Sequence, residues 1–486
     1  MLRSRRPLSI FWLAATTLGR GTGEHRYSEC MTVVPGRLKA GIVRVVLNPI
    51  TVWVAFVLVH LILGLLNLYA PGLPLGDVTI VYRFWTDQAL YAHFWVGIDS
   101  VWVYPIVAWV PMLIAGAFGS AFYPSTWLSM VLILDAIAFG ILTGWGRSRE
   151  RMGVAWWWIG FLLLLGPIAS GRIDSISVPL AMIGLIVIAR RPRVAAVLLT
   201  VATWIKVWPA ALVFAAFIAL RDRWRILAAA VITSTAIVAV ALLLGSGMNV
   251  ISFITQQTGR GLQPESPVST FFMWQALARV PGAFVYYDSS ILSYAVKGPG
   301  DAVAIALMSP LLALVALAIA LLGLRAVRRG AQPGDLFPPL ALALTTAFIA
   351  VNKVGSPQYI TWLAVPIVLG IATSAAGNGR SFRTPAILGL VIAALTQVIY
   401  PYFYHWLISL DPIMVSALTV RNILEFVLLG WAIVAVYQSP SAASIDDGDE
   451  QEWLPSVWPL SSSSEASPES DVAAQPVSSK HQPVGT

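Results

Sequence analysis

The chain has 486 residues, of which 58% are hydrophobic and only 11% are charged, whereas soluble domains carry about 25% charged residues. This composition excludes an ordinary soluble enzyme and predicts a polytopic membrane protein. The single cysteine, Cys30, excludes a disulfide framework and a cysteine metal site. The net charge of +8 resides in short basic clusters between apolar runs, which indicates membrane topology and not nucleic-acid binding.

The predicted elements begin with a basic segment, residues 1–45, which we expect in the cytoplasm. Apolar runs that match the ~20 residues needed to cross a bilayer, or fall somewhat short of it, then follow along the chain. They lie near residues 49–70, 123–145, 155–170, 175–190, 194–207, 208–221, 226–246, 302–324, 336–351, 358–375, 384–400 and 412–437. The sequence therefore predicts an all-α polytopic protein of about twelve spans, with a transmembrane domain over residues 46–437.

Basic clusters orient these spans with both termini inside the cell. They lie at residues 37–44, 147–151, 190–193, 221–225, 325–329 and 380–383. After residue 437 the composition shifts to Ser, Pro and acidic residues, which predicts a disordered cytoplasmic tail over residues 438–486.

One apolar segment conflicts with this topology. Val101–Gly119 is apolar enough to cross, but a crossing there puts Arg147–Arg151 or the loop at Asp77 on the wrong side of the membrane. We therefore expect a re-entrant or juxtamembrane helix within a large first extracytoplasmic loop, residues 71–122.

Isolated charges gather in the predicted outer connections, where ionisable groups beside a membrane often mark function. Asp77 follows the first span and is a candidate general base. In Gly171-Arg172-Ile173-Asp174, Arg172 can bind phosphate bidentately, and Asp174 can hold Arg172 or a sugar hydroxyl. An N-cap is the alternative for Asp174, and a solvated turn is the alternative for Asp77.

A lysine marks the next outer turn, Lys206-Val207-Trp208-Pro209, where we expect Pro209 to break a helical hairpin. A fixed positive charge there suits a leaving phosphate, and the alternative is a lysine that snorkels to the lipid headgroups.

Two further outer stretches, Arg260–Ser266 and Asn352–Tyr359, each combine a cation, an amide and a small residue. That chemistry suits phosphate and sugar hydroxyls. The predicted binding residues in them are Arg260, Glu265, Lys353, Gln358 and Tyr359. Any one of these motifs alone is more typical of a wetted loop, so the hypothesis rests on their falling on the same side.

These motifs, in this order, resemble the GT-C superfamily and, within it, glycosyltransferase family 87, the polyprenol-phosphate-mannose-dependent mannosyltransferases of actinobacteria. The resemblance covers roughly residues 45–437. Its most specific pieces are Asp174 with Lys206–Pro209, the Arg260–Ser266 segment, and Ser356–Trp362. Tyr104-Pro105 matches part of a Tyr-Pro-Pro element of the family, in which Ile106 here replaces the second proline.

The resemblance implies the GT-C fold and an active site that faces the extracytoplasmic side of the cell membrane. Asp77 would deprotonate an acceptor hydroxyl, and Lys206, Arg260 and Lys353 would stabilise the departing polyprenyl phosphate. The implied donor is polyprenyl-phosphate mannose, and the transfer inverts to an α linkage. The implied acceptors are glycolipids such as phosphatidylinositol mannosides or lipomannan. No nucleotide, metal or other cofactor is implied.

Three alternatives stay open at the level of sequence. An arabinofuranosyltransferase that uses decaprenyl-phosphoarabinose belongs to the same superfamily. A lipid or solute transporter or flippase belongs to another class, but the chain lacks the matching halves that many transporters show. A non-catalytic scaffold for envelope assembly predicts that loss of Asp77 has no effect.

Overall fold

A computed structural model describes residues 47–289 and 292–440. The predicted N-terminal segment over residues 1–45 and the predicted tail beyond residue 440 lie outside the described residues. The described chain is mostly helical, which confirms the predicted all-α membrane class.

Seventeen α-helices run along the described ranges. In chain order they are α1 (Pro49–Tyr69), α2 (Arg83–Tyr91), α3 (Trp109–Gly116), α4 (Tyr123–Thr143), α5 (Met152–Leu165), α6 (Asp174–Val187), α7 (Pro192–Ile205), α8 (Ala210–Ala219), α9 (Arg223–Leu243), α10 (Ser252–Thr258), α11 (Ser269–Leu277), α12 (Asp301–Arg328), α13 (Pro333–Ala350), α14 (Ala364–Ala375), α15 (Arg383–Gln397), α16 (Tyr404–Ile408) and α17 (Pro412–Tyr437).

Tighter or wider helical turns flank several of these helices. Asp77–Tyr82 and Val398–Tyr402 are π-helical, and the 3₁₀ turns are Ile106–Ala108, Arg149–Arg151, Gly166–Ala169, Gly247–Ile251 and Pro357–Leu363. One antiparallel hairpin pairs β1 (Phe284–Asp288) with β2 (Ser293–Lys297), with Phe284 opposite Lys297.

Nine helical segments of the described chain are long and apolar enough to cross a membrane. They are α1, α4, α5 with its 3₁₀ extension, α9, α12, α13, α14 with the preceding 3₁₀ turn, α15 with its π turn, and α17. The other three predicted spans correspond to α6, α7 and α8, which have only 10–14 residues. At 1.5 Å per residue these helices are about 15–21 Å long, shorter than the ~30 Å hydrocarbon core.

Local sequence signals explain where the long helices begin and end. Asn48 caps α1 by accepting a hydrogen bond from the Ile50 amide at 2.9 Å, and Asp411 caps α17 in the same way. A proline in the first turn of each helix supplies the required φ angle. The turn Lys206–Pro209 separates α7 from α8, as the sequence predicted.

The helices fall into a buried inner set and an outer set. In α13 and in α14 with its 3₁₀ turn, 83% of the most apolar stretch is buried, against 17% in α9 and 11% in α12. An apolar helix whose side chains face outward is typical of contact with lipid tails. The connections next to the inner helices are therefore the ones enclosed by protein, and the site residues lie there.

Two details of the outer connections bear on the predictions. Ile106–Gly116 is a short apolar helical segment that packs against α4, in accord with the expected re-entrant or juxtamembrane helix. The β1–β2 hairpin was not predicted, although its alternating aromatic and β-branched residues are a recognisable strand signal.

Candidate functional site

A cavity of about 360 Å³ lies where the connections after α1, α5, α7, α9, α13 and α15 meet. The basic clusters at residues 147–151, 190–193, 221–225, 325–329 and 380–383 lie in the intervening connections, at the opposite ends of the helices. Seven of the nine predicted site residues line the cavity: Asp77, Arg172, Lys206, Arg260, Glu265, Gln358 and Tyr359. Asp174 and Lys353 do not.

Asp77 and Arg172 form an ion pair on the cavity wall, with Arg172 Nε 3.0 Å from Asp77 Oδ2. The Asp77 side chain is 39% exposed, whereas that of Arg172 is buried. Arg172 also donates to the Pro74 carbonyl and, at 2.6 Å, to the Tyr400 hydroxyl. The guanidinium is therefore fixed from several sides, and it holds the Asp77 carboxylate at the cavity surface.

Gly171, the residue before Arg172, lies where the backbone passes close to Asn67 and Pro74. A Cβ on Gly171 would lie 2.7 Å from Asn67 Oδ1 and 2.9 Å from the Pro74 oxygen. Only glycine lets this turn reach the first loop, and that contact brings Arg172 to Asp77.

Lys206 lies at the end of α7, where aromatic rings and a buried carboxylate surround its ammonium group. Its Nζ is 4.7 Å from the Tyr104 ring centre, 5.7 Å from that of Tyr359, and 3.9 Å from Asp174 Oδ2. The Asp174 carboxylate accepts a 2.7 Å hydrogen bond from Trp362 Nε1. This bond replaces the helix-capping alternative for Asp174, because that helix end has no side-chain cap. Asp174 thus lies behind Lys206 and holds it.

The two predicted loop stretches join each other directly. The Gln263 amide donates to the Lys353 carbonyl at 3.1 Å, and a Cβ on Gly355 would lie 2.1 Å from the Ser266 nitrogen. Arg260 lines the cavity, and its buried Nε makes no hydrogen bond in the described part of the chain. Lys353 is buried outside the cavity lining, and its backbone carbonyl holds the Arg260–Ser266 segment.

The family comparison agrees with this geometry. The model of glycosyltransferase family 87 matches residues 102–351, about half of the chain. The chain belongs to glycosyltransferase family 87. It is accordingly a membrane glycosyltransferase. No curated protein and no solved structure matches it.

The family-87 match covers only part of the site. Arg172, Lys206 and Arg260 lie within the matched residues, whereas Asp77 and Gln358 lie outside them. The folded chain nevertheless brings Asp77 and Gln358 to the same cavity. Residues inside and outside the matched range therefore line the same cavity.

The other two acids of the first loop of this family-87 protein lie elsewhere. Asp87 accepts a 2.8 Å hydrogen bond from Ser120, and Asp99 accepts one of 2.7 Å from the Trp95 amide. Neither acid lines the cavity. Both acids bond within the first loop, Asp87 from α2 and Asp99 from a turn, and Asp77 remains the carboxylate of this loop in the cavity.

Sequence reasoning missed the cluster behind Glu265. The Arg421 guanidinium contacts two carboxylates: its Nη1 lies 3.7 Å from Glu265 Oε2, and its Nε lies 3.4 Å from Glu425 Oε1. Its Nη2 donates a hydrogen bond to the backbone carbonyl of Glu265. Arg421 pairs with Glu425 one turn further along α17, and it also binds the Arg260–Ser266 segment. Burial raises the pKa of Glu265 to about 7, although Arg421 opposes that effect.

Sequence reasoning also missed most of the aromatic wall. Tyr82 and Tyr104 meet hydroxyl to hydroxyl at 3.2 Å beside Asp77, and burial raises the pKa of both phenols. They remain protonated and are available as hydrogen-bond donors. Four further tyrosines line the cavity: Tyr287, Tyr294, Tyr400 and Tyr404. Within the described residues, no group of three or more metal-ligating side chains is present.

Proposed function

We propose that this protein transfers mannose from polyprenyl-phosphate mannose to a lipid-linked envelope glycan of the phosphatidylinositol mannoside or lipomannan type. The transfer inverts to an α linkage at the extracytoplasmic face of the cell membrane. The observation that carries the proposal is that one cavity holds a partly exposed carboxylate, Asp77, together with two cations. Lys206 has Asp174 behind it at 3.9 Å, and Arg260 forms no ion pair within the described residues.

Asp77 acts as the general base in this proposal. Its carboxylate accepts the proton of the acceptor hydroxyl while the hydroxyl oxygen bonds to the anomeric carbon of the donor. Arg172 orients the carboxylate through the 3.0 Å ion pair. The partial exposure of Asp77 leaves its other edge open to the acceptor.

Lys206 and Arg260 stabilise the departing phosphate. The bond between the anomeric carbon and the phosphate oxygen breaks, and the electron pair leaves with that oxygen, so negative charge grows on the phosphate. A fixed cation stabilises that charge most in a site with little water. Asp174 positions Lys206, and the backbone of Lys353 positions the segment that carries Arg260.

The positions of the basic clusters support the proposal that the cavity lies on the extracytoplasmic side of the membrane. Basic clusters prefer the cytoplasm, and the cavity lies at the other ends of the helices. A cavity on the outer side is reached by a lipid-linked donor, because nucleotide sugars are cytoplasmic.

The test compares the wild type, Asp77→Asn and the control Asp87→Asn in detergent, with radiolabelled polyprenyl-phosphate mannose and phosphatidylinositol mannoside acceptors. We expect transfer by the wild type and by Asp87→Asn, and a loss of about 10²–10⁴-fold in Asp77→Asn. Equal transfer by all three proteins excludes Asp77 as the base. If transfer occurs only from decaprenyl-phosphoarabinose, the sugar of the donor is arabinose and not mannose. If neither donor supports transfer, the result favours a transporter or a scaffold.

A further inference from the structure

The cavity has two parts of different charge. In the first part, Lys206 and Arg260 both line the cavity, and Tyr104 and Tyr359 flank the lysine. In the second part, the nearby arginines already face carboxylates: Arg172 pairs with Asp77, and Arg421 lies against Glu265. Arg260 forms no ion pair within the described residues, so an anion finds a cation without a carboxylate partner in the first part, and the second part suits an uncharged group.

Four tyrosines form a continuous row in the second part, which we call the tyrosine row: Tyr287, Tyr294, Tyr404 and Tyr400. Successive rings meet edge to face, with centres 5.2, 6.0 and 5.3 Å apart. All four line the cavity. The row ends at Tyr400, whose hydroxyl accepts the 2.6 Å hydrogen bond from Arg172. It therefore leads from the β1–β2 hairpin to the partner of Asp77.

Hydrogen-bonding groups accompany the row. Glu265 lines the cavity beside Tyr404, and its buried Oε2 accepts no hydrogen bond within the described chain. Gln263 donates to Ser293 on the hairpin at 3.2 Å, and Gln256 and Gln257 also line the cavity. Arg421 faces that oxygen at 3.7 Å without a hydrogen bond, so the Glu265 carboxylate keeps acceptor capacity that the hydroxyl of a ligand can use.

We infer that the tyrosine row and Glu265 are the acceptor subsite, which holds a neutral sugar residue at the end of the acceptor glycan. A sugar ring has apolar C–H faces and a hydroxyl rim, which match an aromatic ring face beside a carboxylate and amides. The cations of the first part are left to the donor phosphate. Because the row ends at Tyr400, which bonds the partner of Asp77, a sugar that lies along it presents a hydroxyl to Asp77. This inference rests on the proposed transfer reaction.

The kinetic test separates acceptor from donor. Tyr294→Ala and Tyr404→Ala remove rings from two different segments, so a shared effect does not come from local unfolding of the hairpin. The control is Tyr286→Ala, on the same strand as Tyr287 but outside the cavity lining. We expect each row variant to raise the KM for the acceptor about tenfold and to leave the KM for polyprenyl-phosphate mannose unchanged. A raised donor KM with an unchanged acceptor KM overturns the inference.

A binding measurement tests the subsite without turnover. Octyl α-mannoside is added to the full-length protein in nanodiscs, and contact is measured by saturation-transfer NMR. We expect binding by the wild type and Tyr286→Ala, and about tenfold weaker binding by Tyr294→Ala and Tyr404→Ala. The same glycoside oxidised to a carboxylate at C6 should bind about tenfold more weakly than octyl α-mannoside.

The outcomes distinguish this inference from the proposed function. If no donor supports transfer but octyl α-mannoside binding still depends on Tyr294 and Tyr404, the transfer reaction is wrong and the sugar subsite stands. If transfer proceeds while the row variants bind the glycoside as the wild type does, the subsite is wrong and the reaction stands. Equal binding of the neutral and the oxidised glycoside overturns the assignment of a neutral sugar.

Discussion

Two pairings of an aspartate with a basic side chain make an instructive comparison. In the helix bundle, His60 Nε2 of α1 lies 3.1 Å from Asp135 Oδ2 of α4, and both side chains are at most 6% exposed. In the cavity, Arg172 lies 3.0 Å from Asp77, which is 39% exposed. The separations are nearly equal, so exposure and surroundings distinguish the two pairs.

The bundle pair is closed on itself. His60 Nδ1 lies 2.9 Å from the Phe56 carbonyl, which can only accept, so Nδ1 carries a proton. The other nitrogen lies within hydrogen-bond distance of Asp135, and such a pair joins two helices. Asp77 instead keeps an open edge in a cavity with further charges. A pair that is fully enclosed by protein serves to join helices, whereas a pair with a partly exposed carboxylate can contact a substrate.

The largest expected effect that separates the two regions is at Lys206. Lys206→Met keeps most of the length of the side chain and removes the charge. We expect the kcat of sugar transfer to fall about 10²–10³-fold, because a fixed cation for the leaving group is lost. Lys297→Met on β2, whose lysine lies outside the cavity lining, is the control and should transfer at the wild-type rate. Equal losses in both variants contradict a specific role for Lys206.

The second prediction concerns the bundle pair. Asp135→Leu leaves the buried His60 nitrogen without its partner, and we expect a loss of about 1–3 kcal/mol in the free energy of unfolding. Thermal unfolding in detergent measures it. Transfer per folded molecule should stay at the wild-type level, since neither residue lines the cavity. If transfer is lost while stability is unchanged, His60 and Asp135 act in the transfer reaction and not in the stability of the fold.

The third prediction is Asp174→Asn, which keeps an acceptor oxygen for Trp362 but removes the charge facing Lys206. Burial lowers the pKa of Lys206, and Asp174 raises it, so the variant lowers that pKa further. Lys206 must be protonated to stabilise phosphate, so the basic limb of the kcat profile should shift to lower pH. We expect a loss of about tenfold at neutral pH. A lower rate with an unshifted pH profile indicates that Asp174 acts only through packing.

How much of this the sequence could predict depends on the kind of signal. Lys206 was found because lysine is scarce and stands beside Pro209 at a turn between apolar helices. Another segment of the chain approaches the backbone closely at Gly171 and at Gly355, but the sequence does not identify that segment. Tyr294 and Tyr404 could not be found, because they lie 110 positions apart and meet only through tertiary packing.

The smallest expected effect is the most informative for the comparison. His60→Leu combined with Asp135→Leu removes both partners and leaves apolar side chains between apolar helices. We expect the double variant to unfold within about 1 kcal/mol of the wild type and therefore to be more stable than Asp135→Leu alone. The matching change in the cavity, Asp77→Leu with Arg172→Met, should recover no transfer, because the substrate still needs the carboxylate. If the double bundle variant is as unstable as the sum of its single variants, His60 and Asp135 do not act as a closed pair, and the physical distinction between the two regions fails.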